Sequence, residues 1–428
     1  MRTNIHSAKS VLPILFALLL PTVTAAQEVL DLPGQDRPLA IEEEEIFSVG
    51  SMAGEEWETF ARVEGVAFDA EGNLYILDAQ NSRVVKVGPQ GQFSAELGRA
   101  GEGPGEFGRP LAISVTRSGE VRVFDLNHQG FTVFNPDGSF KSTARIAGGF
   151  FVPNGGLMSL PNGGMVDGGM SAGKMQVMTS GDGENQIAPR PVNLFALSDE
   201  AEITTAFEAW NPLSAVGNQR EETFSGGGIQ MTGATMRAFD AGLFVGAFPD
   251  GRLAVADSTT YTVKVVDPGQ GVTRILQRPF TPREVTRRDQ TAERNRQLAQ
   301  IAGREESSGG GRAYSSDGSG SGSIAISSGR VSDLLRARVE TMEFGDEIPV
   351  LAGMAVDWSG RIWIERTGQR VGERGPIDLI DTEGSYVGSV APENFRIPDA
   401  FGPNGLAAYI ETDEMDVPRV VVRRLKVG

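Results

Sequence analysis

The sequence contains no cysteine and only two histidines, His6 and His128. The absence of cysteine excludes disulfide bonds, thiolate nucleophiles, cysteine-ligated zinc and a lipid-modified cysteine. His6 lies in an N-terminal segment that is expected to be removed. A mature chain with His128 alone excludes metal sites built from several histidines and any reaction that needs two of them.

Long hydrophobic runs are scarce as well. The uncharged run from Val11 to Pro21 is too short, at about 1.5 Å per residue, to cross a hydrocarbon core of about 30 Å. Arg2 and Lys9 precede this run and the small residues 24–26 follow it, which is typical of a secretory signal peptide. We expect residues 1–26 to be removed and the mature protein to be exported, periplasmic or secreted, with no membrane span.

Basic residues are outnumbered: 39 Lys and Arg against 56 Asp and Glu give a formal net charge of −17. A chain with this charge repels nucleic acids and anionic lipids, so neither is an expected partner. Glycine, by contrast, is abundant with 55 residues, and this favours many tight turns. We expect a monomer.

A strand, a glycine turn and a second strand recur along the chain. VAFDAEGNLYILD (66–78) and ISVTRSGEVRVFD (113–125) both show alternating apolar residues around a turn glycine, and both end in aspartate. The period is about 45 residues and one unit holds four short strands, which is typical of a β-propeller blade. The turn glycines of the six units are Gly72, Gly119, Gly163, Gly251, Gly360 and Gly405. We therefore predict an all-β, six-bladed β-propeller of four-stranded antiparallel blades in one domain, residues 27–428.

Two stretches decide the blade count and the closure of the ring. The wide gap between Gly163 and Gly251 could hold a seventh unit, but residues 192–207 fit better as the outer strand pair of the third. The last unit ends with PRVVVRRLKV (418–427), its third strand. Residues 41–50 are expected to supply the fourth, with Ile46 and Val49 as the important apolar positions. The four acids at 42–45 would then lie at an outer edge that faces water.

The first two units resemble a known family. NLYILDAQNSRVVKV (73–87) and GEGPGEFGRPLAISV (101–115) are similar to the NHL repeat and to the six-bladed bacterial propeller proteins related to it. The resemblance covers nearly all of residues 40–428 and is most specific in the first two units. It implies a propeller fold and, since most members are binding modules or have no assigned activity, implies little about chemistry.

Several links on one face of the predicted propeller are long, and we expect this to be the working face. They are the glycine-rich link 99–110, an insertion near 170–190 and an insertion at about 277–348. Thr281, Pro282 and Glu284 predict a helix start, with the helix running to about Ala302. A Gly/Ser-rich stretch (306–329) and a second helical pattern (332–344) follow. This insertion is either a mobile lid over the channel or a tolerated surface loop.

The sixth position after each turn glycine should lie near that face. It holds Asp78, Asp125, Gly169, Asp257, Arg366 and Glu411. The four carboxylates and the arginine are candidate ligand-binding residues at the channel mouth, and calcium is a conceivable ligand of the carboxylates. In the alternative, structural interpretation, each aspartate closes its own turn by accepting hydrogen bonds from nearby backbone amides. His128, one period after Asn81, is expected to be a turn residue.

The sequence favours two functions. The first is a non-catalytic binding module that recognises a protein, peptide or glycan, because a propeller is a scaffold and no catalytic signature is present. The second is a calcium-assisted hydrolase of the sugar-lactonase kind. Neither a catalytic residue nor a resident metal is assigned from the sequence.

Overall fold

The structure is a computed structural model of the chain. It describes residues 27–147, 151–153, 155–168, 190–212, 221–226, 229–307, 312–315, 324–413 and 415–428. The predicted signal peptide, most of the insertion near 170–190, Gly169 and half of the Gly/Ser-rich stretch lie outside these ranges. Within them the chain is nearly all β-structure, and both α-helices lie in the 277–348 insertion.

Short strands succeed one another along the described chain. The first are β1 (Glu28–Asp31), β2 (Ile41–Val49), β3 (Val63–Phe68), β4 (Leu74–Asp78), β5 (Arg83–Val87), β6 (Phe93–Leu97), β7 (Pro110–Val115), β8 (Val121–Asp125), β9 (Gly130–Phe134), β10 (Phe140–Ile146), β11 (Leu157–Ser159), β12 (Met165–Asp167), β13 (Pro191–Leu197) and β14 (Glu200–Glu208). Next come β15 (Glu221–Gly226), β16 (Ile229–Ala234), β17 (Arg237–Ala238), β18 (Phe244–Ala247), β19 (Leu253–Ala256), β20 (Thr262–Asp267), β21 (Gly271–Gln277) and β22 (Arg283–Glu284). The insertion and the last sheets hold α1 (Arg287–Ser307), β23 (Arg312–Ser315), β24 (Ile324–Ser327), α2 (Ser328–Glu340), β25 (Glu343–Phe344), β26 (Glu347–Ile348), β27 (Leu351–Val356), β28 (Ile362–Thr367), β29 (Arg374–Ile380), β30 (Tyr386–Val390), β31 (Ala400–Phe401), β32 (Leu406–Thr412) and β33 (Pro418–Val427).

The predicted unit of four antiparallel strands is present. Strands β3–β6 and β27–β30 each form a four-stranded sheet, and β18–β21 form a third that carries β1 as a parallel edge strand. Strands β7–β10 and β11–β14 form two further units, which a short parallel contact between β10 and β14 joins into one eight-stranded sheet. The protein is therefore all-β, with small antiparallel sheets in a propeller-like arrangement.

The turn between the first two strands of each unit depends on a left-handed residue. All six predicted turn glycines have φ between +77° and +92°, a region that side chains with a Cβ rarely adopt. These turns fix the register of the strands that follow, so the period-2 pattern of the sequence places its apolar residues between sheets.

The two chain ends share one sheet, as predicted. Strand β2 pairs antiparallel with β33, in the order β2-β33-β32-β31. The acids at this predicted outer edge face basic residues on the neighbouring strand: Glu42, Glu44 and Glu45 lie opposite Lys426, Arg424 and Arg423. A bulge at Ile46 accounts for the imperfect alternation of β2.

The predicted start of the first insertion helix is wrong. Arg283 and Glu284 form a short strand with β26, so the helix begins at Arg287 and ends at Ser307. Thr286 caps it: its Oγ1 accepts from the amide of Asp289, whose carboxylate accepts from the amide of Thr286. The second helix is Ser328–Glu340 rather than 332–344.

Apolar side chains are buried between consecutive sheets. In the described chain six clusters of buried residues occupy these interfaces. Leu77, Phe131, Val255 and Trp363 each belong to one of them. Val49 of β2 belongs to the cluster between the last sheet and β3–β6, with Ile46 packed against it. The sheets are therefore held together face to face, and their loops are left free at the two ends of the strands.

Candidate ligand-binding site

Asp78 is the last residue of β4 and is fully buried. One carboxylate oxygen accepts from the amides of Ala61 and Arg62, each at 3.1 Å. The other accepts from Asn81 Nδ2 at 2.7 Å and Arg83 Nε at 3.2 Å. The carboxylate is thus satisfied by its own sheet and by the link that enters it, which supports the structural interpretation of this residue.

Asp125 repeats this arrangement one unit later. Its carboxylate is buried and accepts from the amides of Gly108 and Arg109, and also from those of Asn127 and His128. His128 lies in the predicted turn, where its ring Nε2 is 3.0 Å from Oε2 of Glu102 in the glycine-rich link.

In the third and fourth units, buried aspartates are also hydrogen-bonded within the protein, but to other partners. Asp257 is buried and accepts from the amide of Trp210 at 2.8 Å and from Lys264 Nζ at 2.7 and 2.8 Å. In the third unit Asp167, two positions before Gly169, takes this role and accepts from the amide and the side chain of Asn193. Each carboxylate is hydrogen-bonded within its own sheet or to the link that enters that sheet. The structure does not bring the carboxylates together.

Glu411 and Arg366 differ from the aspartates. Glu411 is paired with Arg419 at 2.9 Å and Arg423 at 3.1 Å on the neighbouring strand β33. Arg366, near the end of β28, lines a cavity. Its side chain is 11% exposed, so one side contacts protein and the other faces that cavity.

Arg366 belongs to a cluster of four charges, of which three are buried and one, that of Asp36, is exposed. Asp378 and Arg278 have fully buried side chains, and Arg278 Nη1 lies 2.6 Å from Oδ2 of Asp378. Arg366 Nε lies 3.3 Å from the same oxygen. Asp36, from the N-terminal segment, bridges both cations, at 3.0 Å from Arg278 Nη2 and 2.5 Å from Arg366 Nη2. Two cations and two anions therefore balance at this point.

Aromatic rings enclose this cluster. The ring of Phe280 lies 4.7 Å from Cζ of Arg278 and 4.5 Å from Cζ of Arg366, and the ring of Tyr386 lies 4.1 Å from Cζ of Arg278. Ser389 donates to Oδ1 of Asp378 at 2.5 Å. Cation–π contacts of this kind orient the guanidinium planes, so the edge of Arg366 has a fixed direction.

The charges shift two neighbouring pKa values. Burial alone would raise the pKa of Asp36, but the hydrogen bonds and charges of Arg366 and Arg278 outweigh it and hold the pKa below its ordinary value. Burial and the charge of Asp378 raise the pKa of Tyr261 well above its ordinary value. Asp36 is therefore ionised and Tyr261 protonated at neutral pH.

The cavity beside Arg366 has a volume of about 560 Å³, within the roughly 300–1,000 Å³ that small-ligand sites occupy. Phe280, Ile348 and Val350 give it apolar walls, and Arg366 and Arg374 give it donors. It lies where the link from β28 to β29 and the links between sheets emerge, which is the predicted working face. Strands β22 and β26 pair at the root of the 277–348 insertion, and residues of both line the cavity.

Within the described ranges no three His, Cys, Asp or Glu side chains form a group that could hold a metal ion. The same part of the chain has no helix long and apolar enough to cross a membrane.

Comparison with known proteins gives no family. No protein-family model matches the chain, and no curated protein matches it. Among solved structures, a protein from Bacteroides fragilis is 12% identical with a TM-score of 0.49, and the match covers 93% of this chain and 99% of that one. Virginiamycin B lyase from Staphylococcus aureus is 11% identical with a TM-score of 0.36, covering 91% and 100%. The gluconolactonase from Xanthomonas campestris is 12% identical with a TM-score of 0.36, covering 92% and 97%. The propeller-like architecture therefore rests on the strand pairing of this chain.

Proposed function

We propose that the protein is an exported six-bladed propeller that acts as a non-catalytic binding module for a protein, peptide or glycan. The blade count is supported by the six apolar clusters, which link the four-stranded units in a closed circuit. Strand β2 would close this ring by completing the last blade. The NHL-like repeat of the first two units is in keeping with such a ring.

The cavity at Arg366 is the observation that carries the binding function. It combines apolar walls, a rigidly held guanidinium and the base of a long insertion on one face of the sheets. Ligand sites of this kind use apolar walls for affinity and a few fixed polar groups for orientation. The insertion would act as the lid of this site.

The lid can be removed while the β22–β26 pairing at its base is kept. Because Glu284 and Glu347 pair directly in the β22–β26 contact, an Asn-Gly turn that replaces residues 285–346 would close a two-residue hairpin. The mature protein and this variant are compared for binding to glycan arrays and to periplasmic extract, with Arg366→Gln and Arg419→Gln as matched arginine variants.

We expect binding to be weakened by the lid replacement and by Arg366→Gln but not by Arg419→Gln, because Arg419 pairs with Glu411, away from the cavity. A ligand whose binding survives both of the first two changes would contradict the proposal. The calcium-assisted hydrolase stays a hypothesis. Stoichiometric calcium in protein purified without chelator would favour it over a binding module.

A further inference from the structure

A second cavity, of about 510 Å³, lies between the sheet β27–β30 and the last sheet. It is formed at the turn between β27 and β28, whereas the Arg366 cavity lies beyond the other end of β28. At about 3.3 Å per residue, a six-residue strand separates the two cavities by roughly 20 Å. Trp358, Arg361, Phe401 and Asn404 are among its lining residues. It is independent of the function proposed for the Arg366 cavity.

Comparison between repeats shows which of these side chains the turn needs. In the first unit, the turn aspartate Asp69 accepts from the amide of Asn73 at 2.9 Å and from its side chain at 2.7 Å. Its other contacts include the hydroxyl of Tyr75 at 3.0 Å. The residue after the turn glycine therefore helps to close this turn with its side chain.

The fifth unit has the same turn with a different residue at that position. Asp357 accepts from the amide of Arg361 at 3.1 Å and from Nε1 of Trp363 at 3.0 Å. The guanidinium of Arg361, half-buried at the cavity, has no hydrogen bond or ion pair with any residue that the structure describes. The turn closes without this side chain, so its charge is available to a ligand.

Trp358 of the cavity lining contacts a second arginine. Cζ of Arg117, which comes from the turn between β7 and β8, lies 4.7 Å from the centre of the Trp358 ring. Arg117 is exposed, and this ring is its side-chain contact in the described chain. Two guanidinium groups without a carboxylate partner among the described residues thus lie here, one in the cavity lining and one on the Trp358 ring. The carboxylate of Asp357 also lines the cavity, but it already accepts from Ser359, the amide of Arg361 and Nε1 of Trp363.

The last sheet adds a ring and an amide to the cavity lining. Phe401 is half-buried and stacks on Trp363, with ring centres 5.6 Å apart and an angle of 29° between the planes. Asn404 adopts a left-handed conformation with φ +54° and is exposed at the cavity. Its side-chain amide, which can both donate and accept, has no partner among the described residues.

We propose that this cavity binds a saccharide that carries a carboxylate, such as a uronic acid. The C–H faces of a sugar ring pack on the negative faces of aromatic rings, which Trp358 and Phe401 supply. A carboxylate pairs with the guanidinium of Arg361, and the amide of Asn404 bonds ring hydroxyls in either direction. A neutral sugar would leave Arg361 unpaired, and a small inorganic anion would leave the aromatic walls without a contact.

The test uses two probes that differ in charge and in two methyl groups: digalacturonic acid and its dimethyl ester. Binding to the mature protein is measured by isothermal titration calorimetry at low salt, and in parallel by tryptophan fluorescence. We expect the acid to bind at least about tenfold more tightly than the ester, the factor that about 1.4 kcal/mol of charge-assisted hydrogen bonding provides. High salt should reduce this difference.

Three variants assign the site. Arg361→Gln should weaken binding of the acid about tenfold and leave the ester unchanged, whereas Arg361→Lys should restore part of the affinity. Trp358→Phe should abolish most of the fluorescence change. Arg252→Gln is the matched control, because Arg252 also follows a turn glycine but is paired with Asp250 at 2.8 Å. It should leave binding unchanged.

Three results would overturn the proposal: no binding of the acid, equal binding of acid and ester, or equal loss in Arg361→Gln and Arg252→Gln. Tighter binding of benzoate than of digalacturonate would also overturn it, because the site would then be one for aromatic acids. Circular dichroism of each variant confirms that a loss of binding is not a loss of fold.

Discussion

Removal of strand β2 should destabilise the whole protein rather than fray one end. Two shortened chains isolate its contribution, one beginning at residue 40 and one at residue 52. Both lack β1 and Asp36, so they differ in β2 and the short segment after it. Val49 is 4% exposed, and burial of a valine side chain stabilises by about 1.5–3 kcal/mol. Since Ile46 and Phe47 also pack in that cluster, we expect a difference of at least about 2 kcal/mol.

Urea unfolding followed by circular dichroism measures this difference. With a slope on the order of 3 kcal/mol per molar, a loss of 2 kcal/mol lowers the midpoint by about 0.7 M. If the ring depends on β2, the chain from residue 52 should still unfold in a single transition, but at a lower urea concentration, because each sheet is stabilised by its neighbours. In the chain from residue 52, β33 also becomes an open edge, which should promote self-association.

Equal midpoints and equal slopes for the two shortened chains would refute this reasoning. They would mean that the β2–β33 pairing contributes nothing to stability and that the last sheet is held by its contacts with β27–β30 and β3–β6. A second, small transition would show instead that the last sheet unfolds separately, so that the ring is not one cooperative unit.

Three further predictions concern charges and caps. Asp378→Asn should cost about 3–5 kcal/mol in thermal unfolding, because it leaves the buried Arg278 without its closest anion. Thr286→Ala should cost about 1 kcal/mol through loss of the cap of α1, with the far-ultraviolet signal of the folded state nearly unchanged. The pKa of Asp36 is lowered in the folded state, so its stabilising effect is complete above its ordinary pKa of about 3.9 and is lost as the pH falls below it. Asp36→Asn should therefore flatten the acid limb of the stability profile, and an unchanged limb would contradict the assignment.

The repeated unit could be predicted because its signals are local. A turn glycine and the alternating residues on either side lie within a dozen or so positions, and each of the six glycines has the required left-handed conformation. Pairing of 41–49 with 418–427 involves the most distant parts of the chain, yet it was predictable. The last unit was one strand short, and residues 41–50, which precede the first unit, could supply it.

The helix start and the charged cluster show where local reasoning stops. Thr281 to Glu284 has the composition of a helix start, but β26 takes Arg283 and Glu284 into a strand, and the equivalent signal at Thr286 is the one used. Asp36 meets Arg278 only because the fold brings positions 242 residues apart into contact. No spacing in the sequence encodes such a meeting.

A position of the repeat indicates function where the rest of its own unit does not satisfy its side chain. Asp78 and Asp125 recur together with the backbone amides that satisfy them, so their conserved geometry belongs to the sheet. Arg366 occupies the same position, but one of its two carboxylate partners, Asp36, comes from a segment outside the repeat. Arg361 occupies the position of Asn73, and its guanidinium has no partner in the part of the chain that the structure describes. Both arginines line cavities, at opposite ends of one strand, and these departures from the repeat are the places where we propose that ligands bind.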